Sequence, residues 1–345
     1  MKKLISLCLA MTMLLGSMVG CGKTPTSSSG NPSNSEGGGL GTPQTFKFGL
    51  TVASTHPYSI AAQNFAELVE EKSGGNMTVD LYYDSSLGDD AALMESMQMN
   101  AVTFALVGPA GIAPMCPIYE FFDLPCLFAT RDAAYAFQES EPVLELMDSL
   151  SANGLRGLGF YENGYYAISN NAKEITTVDG LNNLKLRSMT SEMAIKSWEC
   201  LNVQPVAMAF GELFMAMQTG TVDGQETTIG SFYTSKFYEV QKYVIDTNHV
   251  YEWVAIFISE KTYQSLPKDL QDILSTYAVT SFGDYCTELN QETSDAFLQE
   301  LLDNGMERIE PDQDAFREKA LASYDKWFAD EWTVTNYEEV MSYAK

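Results

Sequence analysis

The sequence predicts an α/β protein built from two βα series in one chain, which suits two lobes joined by strands that cross between them. Two observations predict this class. Short apolar runs with period two alternate with segments whose apolar residues recur at helical spacing, a pattern typical of a parallel-rich sheet covered by helices. One series starts at Phe46 and another near Leu155, and no flexible linker separates them.

The first series alternates strands and helices as far as Val107. Gly74 and Gly75 are expected to end the first helix, and Asp89 to begin the second. The predicted strands cover 46–52, 77–83 and 102–107, and the predicted helices cover 58–71 and 89–99.

The second series leads into a long helix. The predicted strands cover 155–161, 165–169, 184–187 and 254–259, the helices 191–201 and 211–218, and the turns 179–180 and 223–224. A long helical stretch from Pro267 to about Leu302 follows, with polar interruptions that indicate a kink.

The charge balance excludes one class of partner. The 345 residues include 46 Asp and Glu against 20 Lys and Arg, a formal net charge of −26. Because affinity for nucleic acids and anionic membranes comes from basic surfaces, neither partner is expected. An anionic ligand would need a local positive site against this average field.

The N-terminus predicts export and membrane anchoring. Residues 1–20 have the basic start and short apolar run of a signal peptide. Small residues before Cys21 resemble a bacterial lipobox, so we expect Cys21 to carry lipid; ordinary cleavage with an incidental cysteine is the alternative. Residues 21–45, rich in Gly, Ser and Pro, predict a flexible linker. No later apolar run reaches about 18 residues, so the folded part is predicted to be soluble.

The cysteines do not predict a metal site. Six are present, without a CxxC pair or a Cys/His cluster at zinc spacing. Outside the cell Cys116 and Cys126 could form a disulfide, whereas the alternative is that Cys116, Cys126, Cys200 and Cys286 are small buried thiols.

Catalytic motifs are missing from the sequence. It contains neither GxSxG nor HExxH, and Gly157-Leu158-Gly159 lies in a predicted strand rather than at a helix start. The chain has only two histidines. His56 lies in a βα loop, where ligands often bind, and a structural role is favoured for His249. We therefore predict a protein that is not an enzyme and needs no cofactor or metal.

Arg187 is the candidate anion ligand. It ends the predicted strand 184–187 in a chain with few arginines. A guanidinium can hold a carboxylate through two parallel hydrogen bonds, which lysine cannot. The alternative is a solvated charge at a strand end.

Several segments resemble the solute-binding proteins of tripartite ATP-independent periplasmic (TRAP) transporters, the DctP-like family. The resemblance runs from about Phe46 to the C-terminal helices. The most specific matches are Gly180–Arg187 to the family's "DLKGLKIR", 210–226 to "FSEVYTALQTGVVDGQE" and 236–243 to "KFYEVQKY". Weaker ones are 65–75, a first helix and its stop, 86–90 to "QLGDD", and 123–128 to "LP-LF".

This resemblance implies a two-lobed, periplasmic-binding-protein-like fold with a ligand cleft between the lobes and a long helix spanning both. The expected bounds are 46–163 plus about 252–290 for lobe I, and 164–251 plus about 291–345 for lobe II. It also implies that Arg187 holds a ligand carboxylate, that Phe210 packs against the ligand, and that the ligand is delivered to a TRAP membrane permease. We expect the protein to be a monomer.

Departures from the family pattern bear on the ligand. Tyr166 stands where many members have a second arginine, Thr227 replaces an amide, Thr51 stands at another amide position, and Gly108 follows the third strand where some members have an acid. The predicted site also includes His56, Asp90 and Glu226. With Arg187 as the main charge, a monocarboxylate or sugar acid fits better than a dicarboxylate. A ligand-sensing receptor for a signalling partner and an extracellular enzyme are the alternative functions.

Overall fold

The computed structural model describes residues 43–128, 130–324 and 327. The strands are β1 (Gln44–Gly49), β2 (Met77–Tyr82), β3 (Phe104–Val107), β4 (Leu155–Asn170), β5 (Lys185–Ser188), β6 (Gln204–Ala207), β7 (Gly224–Thr228), β8 (Tyr243–Ile245), β9 (Tyr251–Ser259) and β10 (Glu307–Ile309). The α-helices are α1 (Pro57–Lys72), α2 (Asp90–Gln98), α3 (Pro109–Ile112), α4 (Arg131–Gln138), α5 (Glu141–Ser149), α6 (Glu192–Cys200), α7 (Leu213–Gln218), α8 (Ile229–Thr234), α9 (Glu260–Ser265), α10 (Lys268–Tyr277), α11 (Tyr285–Asp303) and α12 (Gln313–Leu321).

One ten-stranded sheet runs through the described chain in the order β2-β1-β3-β9-β4-β7-β5-β6, with β8 beside β4 and β10 beside β8. The outer strands pair in parallel, whereas β9 and β4 pair antiparallel with each other and with their other neighbours. The first part of β4 pairs with β9 and its last part with β7 and β8. This strand therefore joins two sheet halves, as expected for two lobes.

Both faces of the first sheet half are buried, and β9 shows why. Successive side chains of a strand point to opposite faces. Trp253 and Phe257 enter a cluster with Leu93 and Phe122, whereas Ile256 and Ile258 belong to a second cluster on the other face, with Phe48 and Phe282. Two further clusters, around Trp198 and around Phe232, cover the second sheet half. Such strands carry near-continuous apolar runs.

Local sequence signals place the helix ends. The side chain of Asp89 accepts a hydrogen bond from the Ala92 amide and caps α2, and Ser191 does the same for α6. Gly74 and Gly75 follow the end of α1 with φ of 61° and 78°, which suits glycine. These predicted boundaries are confirmed.

Three predicted boundaries need correction. The expected strands over 155–161 and 165–169 are one strand, β4, because irregular register around Gly157/Gly159 and Glu162/Gly164 absorbs the break in pattern. The expected linker reached residue 45, but β1 begins at Gln44. The predicted turn at 223–224 already contains the first residue of β7.

The long helix near the C-terminus is confirmed. Helix α10 continues into a π-helical segment, Ala278–Asp284, and then into α11. Leu270 and Leu274 of α10 pack in the core of the first sheet half, and Leu301 of α11 packs in that of the second. The helix thus spans both lobes, and the π-helical segment marks the predicted interruption.

Candidate functional site

A cleft lies where the two sheet halves meet. It holds about 130 Å³ of space that water can reach, whereas about 10–15 Å³ suffices for one water molecule. A small organic molecule therefore fits. Seven of the nine predicted binding residues line it: Thr51, Asp90, Gly108, Tyr166, Arg187, Phe210 and Thr227.

Arg187 is the cationic side chain of the described cleft lining. Leu186 packs into the core of the second sheet half, so the next residue of β5 turns to the opposite face, toward the cleft. Arg187 is 6% exposed, its Nε donates to the Met208 carbonyl at 3.1 Å, and its guanidinium lies 5.9 Å from the centre of the Phe210 ring. These two contacts hold the guanidinium in place.

The charge of Arg187 is only partly compensated. No carboxylate among the described residues lies within 4.0 Å of its nitrogens. Burial lowers the pKa of Arg187, and the negative charges of Glu226, Asp90 and Glu252 oppose that shift. Because a buried cation without a direct partner is costly, an incoming carboxylate would find a favourable site.

Three acids share the cleft with this arginine: Asp89, Asp90 and Glu252. Asp90 begins α2, and its Oδ1 is buried without a hydrogen-bond partner among the described groups. Glu252 lies on β9 and accepts a hydrogen bond from Asn163. Burial raises the pKa of Asp90 to about 6 and that of Glu252 to about 7. Sequence reasoning missed Glu252, since nothing distinguishes it among 46 acidic residues.

Neutral hydroxyl groups form most of the remaining polar surface. Thr51, Tyr58, Ser85, Tyr166, Thr190, Thr227 and Ser231 contribute them. The hydroxyl of Tyr58 is buried without a partner among the described groups. Tyr166 is 3% exposed, and burial raises its pKa well above the ordinary value, so it stays a neutral hydrogen-bonding group. The cleft can thus hydrogen-bond a polar ligand at many points.

His56 does not line the cleft. It caps α1, where its Nδ1 accepts from the Tyr58 amide at 3.1 Å, so the ring proton is on Nε2, 3.0 Å from the Ser231 hydroxyl. Burial lowers its pKa to about 3, which keeps the ring neutral. The placement is that of a structural cap.

Glu226 also lies behind the cleft wall. Its Oε2 is 2.6 Å from His249 Nε2, and the other ring nitrogen of His249 is 2.7 Å from the Thr247 hydroxyl. All three residues are buried. Glu226 can therefore influence Arg187 through its charge without touching a ligand.

The described residues include no group of three or more His, Cys, Asp or Glu side chains arranged to hold a metal ion. None of their helices is long and apolar enough to cross a membrane.

Cys126 is a buried thiol outside any disulfide, so the disulfide to Cys116 that the spacing left open is not formed. Cys116 and Cys200 are only partly buried. Cys21 and the predicted leader lie outside the described residues.

A two-lobed α/β fold with a polar cleft around one buried arginine defines a ligand-binding receptor. A sequence profile of the family described as bacterial extracellular solute-binding protein, family 7, matches residues 48–331. The chain therefore belongs to this family, the DctP-like solute-binding proteins of TRAP transporters, whose members bind solutes for transport and are not enzymes.

Relatives and a solved structure agree with this assignment. The chain is 32% identical to the C4-dicarboxylate-binding periplasmic protein DctP of Rhodobacter capsulatus, over 77% of this chain and 80% of that protein. It is 29% identical to the 2,3-diketo-L-gulonate-binding periplasmic protein YiaO of Escherichia coli K12, over 77% and 81%. The crystal structure of the sugar acid binding protein DctPAm from Advenella mimigardefordensis, in complex with galactonate, matches with a TM-score of 0.84, 32% identity and coverage of 88% and 98%. The predicted two-lobed fold class is thereby confirmed.

Proposed function

We propose that this protein captures a small monocarboxylate or sugar acid in the cleft and delivers it to a TRAP membrane permease. The proposal rests on Arg187, a buried guanidinium at the cleft without a direct ion pair among the described residues. In this role its fork holds the ligand carboxylate through two hydrogen bonds. Phe210 supplies an apolar wall beside it.

Neutral groups supply the other polar contacts to the ligand. Tyr166, Thr51 and Thr227 hydrogen-bond the rest of the ligand, and Gly108 leaves room beside them. Ligand contact with both sheet halves stabilises a closed form through its higher affinity for that form. The lobes that close are 46–163 plus about 252–290, and 164–251 plus about 291–345, and the protein acts as a monomer.

The relatives support the ligand class. One is a C4-dicarboxylate-binding protein, one binds 2,3-diketo-L-gulonate, and a solved neighbour holds galactonate. A carboxylate is the group that these ligands share. We place the protein at the outer face of the cell membrane, held there by lipid on Cys21.

Arg187→Ala tests the carboxylate clamp. We expect it to weaken binding of organic anions by about 2 kcal/mol or more, because one partner of a desolvated charge pair is lost; this is about thirtyfold in Kd. Arg187→Lys should recover only part of the affinity, since an ammonium cannot form the fork. Isothermal titration calorimetry with hits from a thermal-shift screen of organic acids and neutral sugars gives the values.

Lys261→Ala is the matched control, because it removes one positive charge from an exposed position outside the cleft. It should leave Kd unchanged. If Arg187→Ala binds the same anions as tightly as the wild type, or if only neutral or cationic solutes bind, the proposed function is wrong.

A further inference from the structure

Asp90 and Glu252 have no role in holding a carboxylate, and both line the cleft that Arg187 serves. With Asp89, which also lines the cleft, they give the described lining three acids for one cation, Arg187. A ligand with one carboxylate satisfies Arg187, whereas a second ligand carboxylate would meet these acids. The composition of the wall therefore discriminates between ligands that share one acidic group.

A chain of hydrogen bonds fixes Glu252 from one side. Asn163 donates to its Oε2, and Asn163 Oδ1 in turn lies 3.2 Å from the Thr228 hydroxyl. Thr228 lies 3.2 Å from Ser231, which meets the ring of His56 at 3.0 Å. With Nδ2 committed to Glu252 and Oδ1 to Thr228, Asn163 holds the carboxylate in one orientation.

The other oxygen of Glu252 faces Gly108, another lining residue. A Cβ added at Gly108 would lie 3.6 Å from Glu252 Oε1. Because Gly108 has no side chain, the space beside this oxygen is open, and Tyr166 is a further hydrogen-bonding neighbour of Glu252 in the cleft wall.

Asp90 contributes a carboxylate oxygen that can also accept a hydrogen bond. Its Oδ1 is buried and unpaired among the described groups. Helix α3 fixes its position, since a Cβ added at Gly111 would lie 2.7 Å from Asp90 Cβ. A buried carboxylate oxygen without a donor is unfavourable unless a ligand provides one.

From these contacts we propose that Asp90 and Glu252 are specificity-determining residues that accept hydrogen bonds from donor groups of the ligand, so that the cleft selects a monocarboxylate rich in donors and rejects dicarboxylates. The inference rests on the proposed function, in which Arg187 holds the carboxylate. Hydroxyl groups and an ammonium group are the two sources of such donors. The neutral hydroxyls that surround the acids favour a polyhydroxylated acid, because they can hydrogen-bond hydroxyls in both directions.

Matched ligands of four and six carbons separate these possibilities. The six-carbon series is galactonate, hexanoate, adipate and 6-aminohexanoate, and the four-carbon series is erythronate, butyrate, succinate and 4-aminobutyrate. Each series offers hydroxyls, no donor, a second carboxylate or an ammonium at nearly constant length. Calorimetric Kd values are measured for the wild type, Asp90→Asn and Glu252→Gln, with Glu95→Gln as control, an exposed acid of α2 outside the cleft lining.

We expect the hydroxylated acid to bind at least tenfold more tightly than the plain acid and the dicarboxylate in one of the two series. Asp90→Asn and Glu252→Gln should each weaken the hydroxylated acid by about tenfold, as for hydrogen bonds to charged groups, and strengthen the dicarboxylate. Glu95→Gln should change neither. Tighter binding of the amino acid, lost in the same variants, would support the donor proposal with ammonium as the source.

The inference fails if the wild type binds the dicarboxylate or the plain acid as tightly as the hydroxylated acid. It also fails if the ratios of Kd between these ligands are the same in Asp90→Asn and Glu252→Gln as in the wild type. Arg187→Ala separates this failure from failure of the proposed function. Anions that bind through Arg187 with ratios independent of Asp90 and Glu252 overturn the inference alone. If no anion binds, both are overturned.

Discussion

Arg187 combines a fixed position with an incompletely neutralised charge. The Met208 carbonyl and the Phe210 ring hold its guanidinium in place. The acids that act on it do so at longer range than an ion pair. Such a group is preorganised for an anion, because the protein has already borne the cost of ordering and desolvating it.

Glu252 should make the stability of the ligand-free protein depend on pH. Its pKa is raised from 4.5 to about 7 mainly by burial, so the folded state binds the proton more tightly than the unfolded state. This contribution is fully present below pH 4.5 and is lost as pH rises through about 7. The wild type should therefore lose stability relative to Glu252→Gln when the pH rises from 5 to 8. We expect this difference in the free energy of unfolding to change by on the order of 2 kcal/mol.

Urea unfolding of the wild type and Glu252→Gln at pH 5 and pH 8 measures this difference. The groups that face Glu252 in the cleft and contribute to the background are Asp90, Arg187 and Tyr166. Asp90 titrates in the same direction, with a pKa raised to about 6, so a baseline slope remains in the variant. If the stability of the two proteins depends on pH in the same way, the pKa of Glu252 is not raised in the folded state.

Individual site residues were predictable to different degrees. Arg187 could be singled out because its guanidinium suits carboxylates and, above all, because residues 180–187 resemble a segment of the family; the scarcity of arginine alone left a solvated charge open. Glu252 could not, since in a chain of net charge −26 an acid carries no signal. Its importance comes from its neighbours Asn163 and Gly108, which only the fold brings together.

Apolar elements could be read from the sequence, and polar ones could not. Strand β9 has an unbroken apolar run from Trp253 to Ile258, and its core part was predicted. Strand β7 is equally buried but consists of Gly, Gln, Glu and Thr. Its buried side chains find partners on distant parts of the chain: Gln225 donates to Ser169, and Glu226 pairs with His249. Hydropathy patterns cannot report burial that depends on such distant partners.

The π-helical segment should be sensitive to added volume. A Cβ at Gly283 would lie 1.9 Å from the Tyr161 ring of β4, and the Tyr161 hydroxyl donates to the Ala278 carbonyl at 2.7 Å. Gly283→Ala would push the long helix away from the strand, and we expect a loss of about 1–3 kcal/mol in the free energy of unfolding. Thermal and urea unfolding measure it.

The control for this variant is Val279→Ala in the same segment, where the side chain is 46% exposed. It should change stability by less than about 0.5 kcal/mol. Equal stability of Gly283→Ala and the wild type would mean that the long helix does not pack tightly against Tyr161 of β4 at Gly283.

At the scale of the whole molecule, charge and function oppose each other. The chain carries a net charge of −26, which repels anions at long range. The proposed ligand is an anion, so recognition must come from the short-range field of Arg187 inside the cleft. Low-dielectric walls strengthen that field, whereas salt screens the surface charges over about 8–10 Å. A receptor can thus be acidic overall and still bind an anion.

The proposed membrane attachment depends on one atom, the thiol of Cys21. If the thiol is diacylated, two acyl chains make association stable, whereas a single chain binds only marginally and reversibly. Cys21→Ala should therefore move the protein from the membrane fraction to the soluble extracytoplasmic fraction, while ligand affinity is unchanged because the cleft lies in the body beyond residue 43. Cell fractionation with detection of both forms measures the distribution.

Cys8→Ala, within the predicted leader, is the matched control and should leave attachment intact. Continued membrane association of Cys21→Ala after a high-salt wash would show that another segment holds the protein.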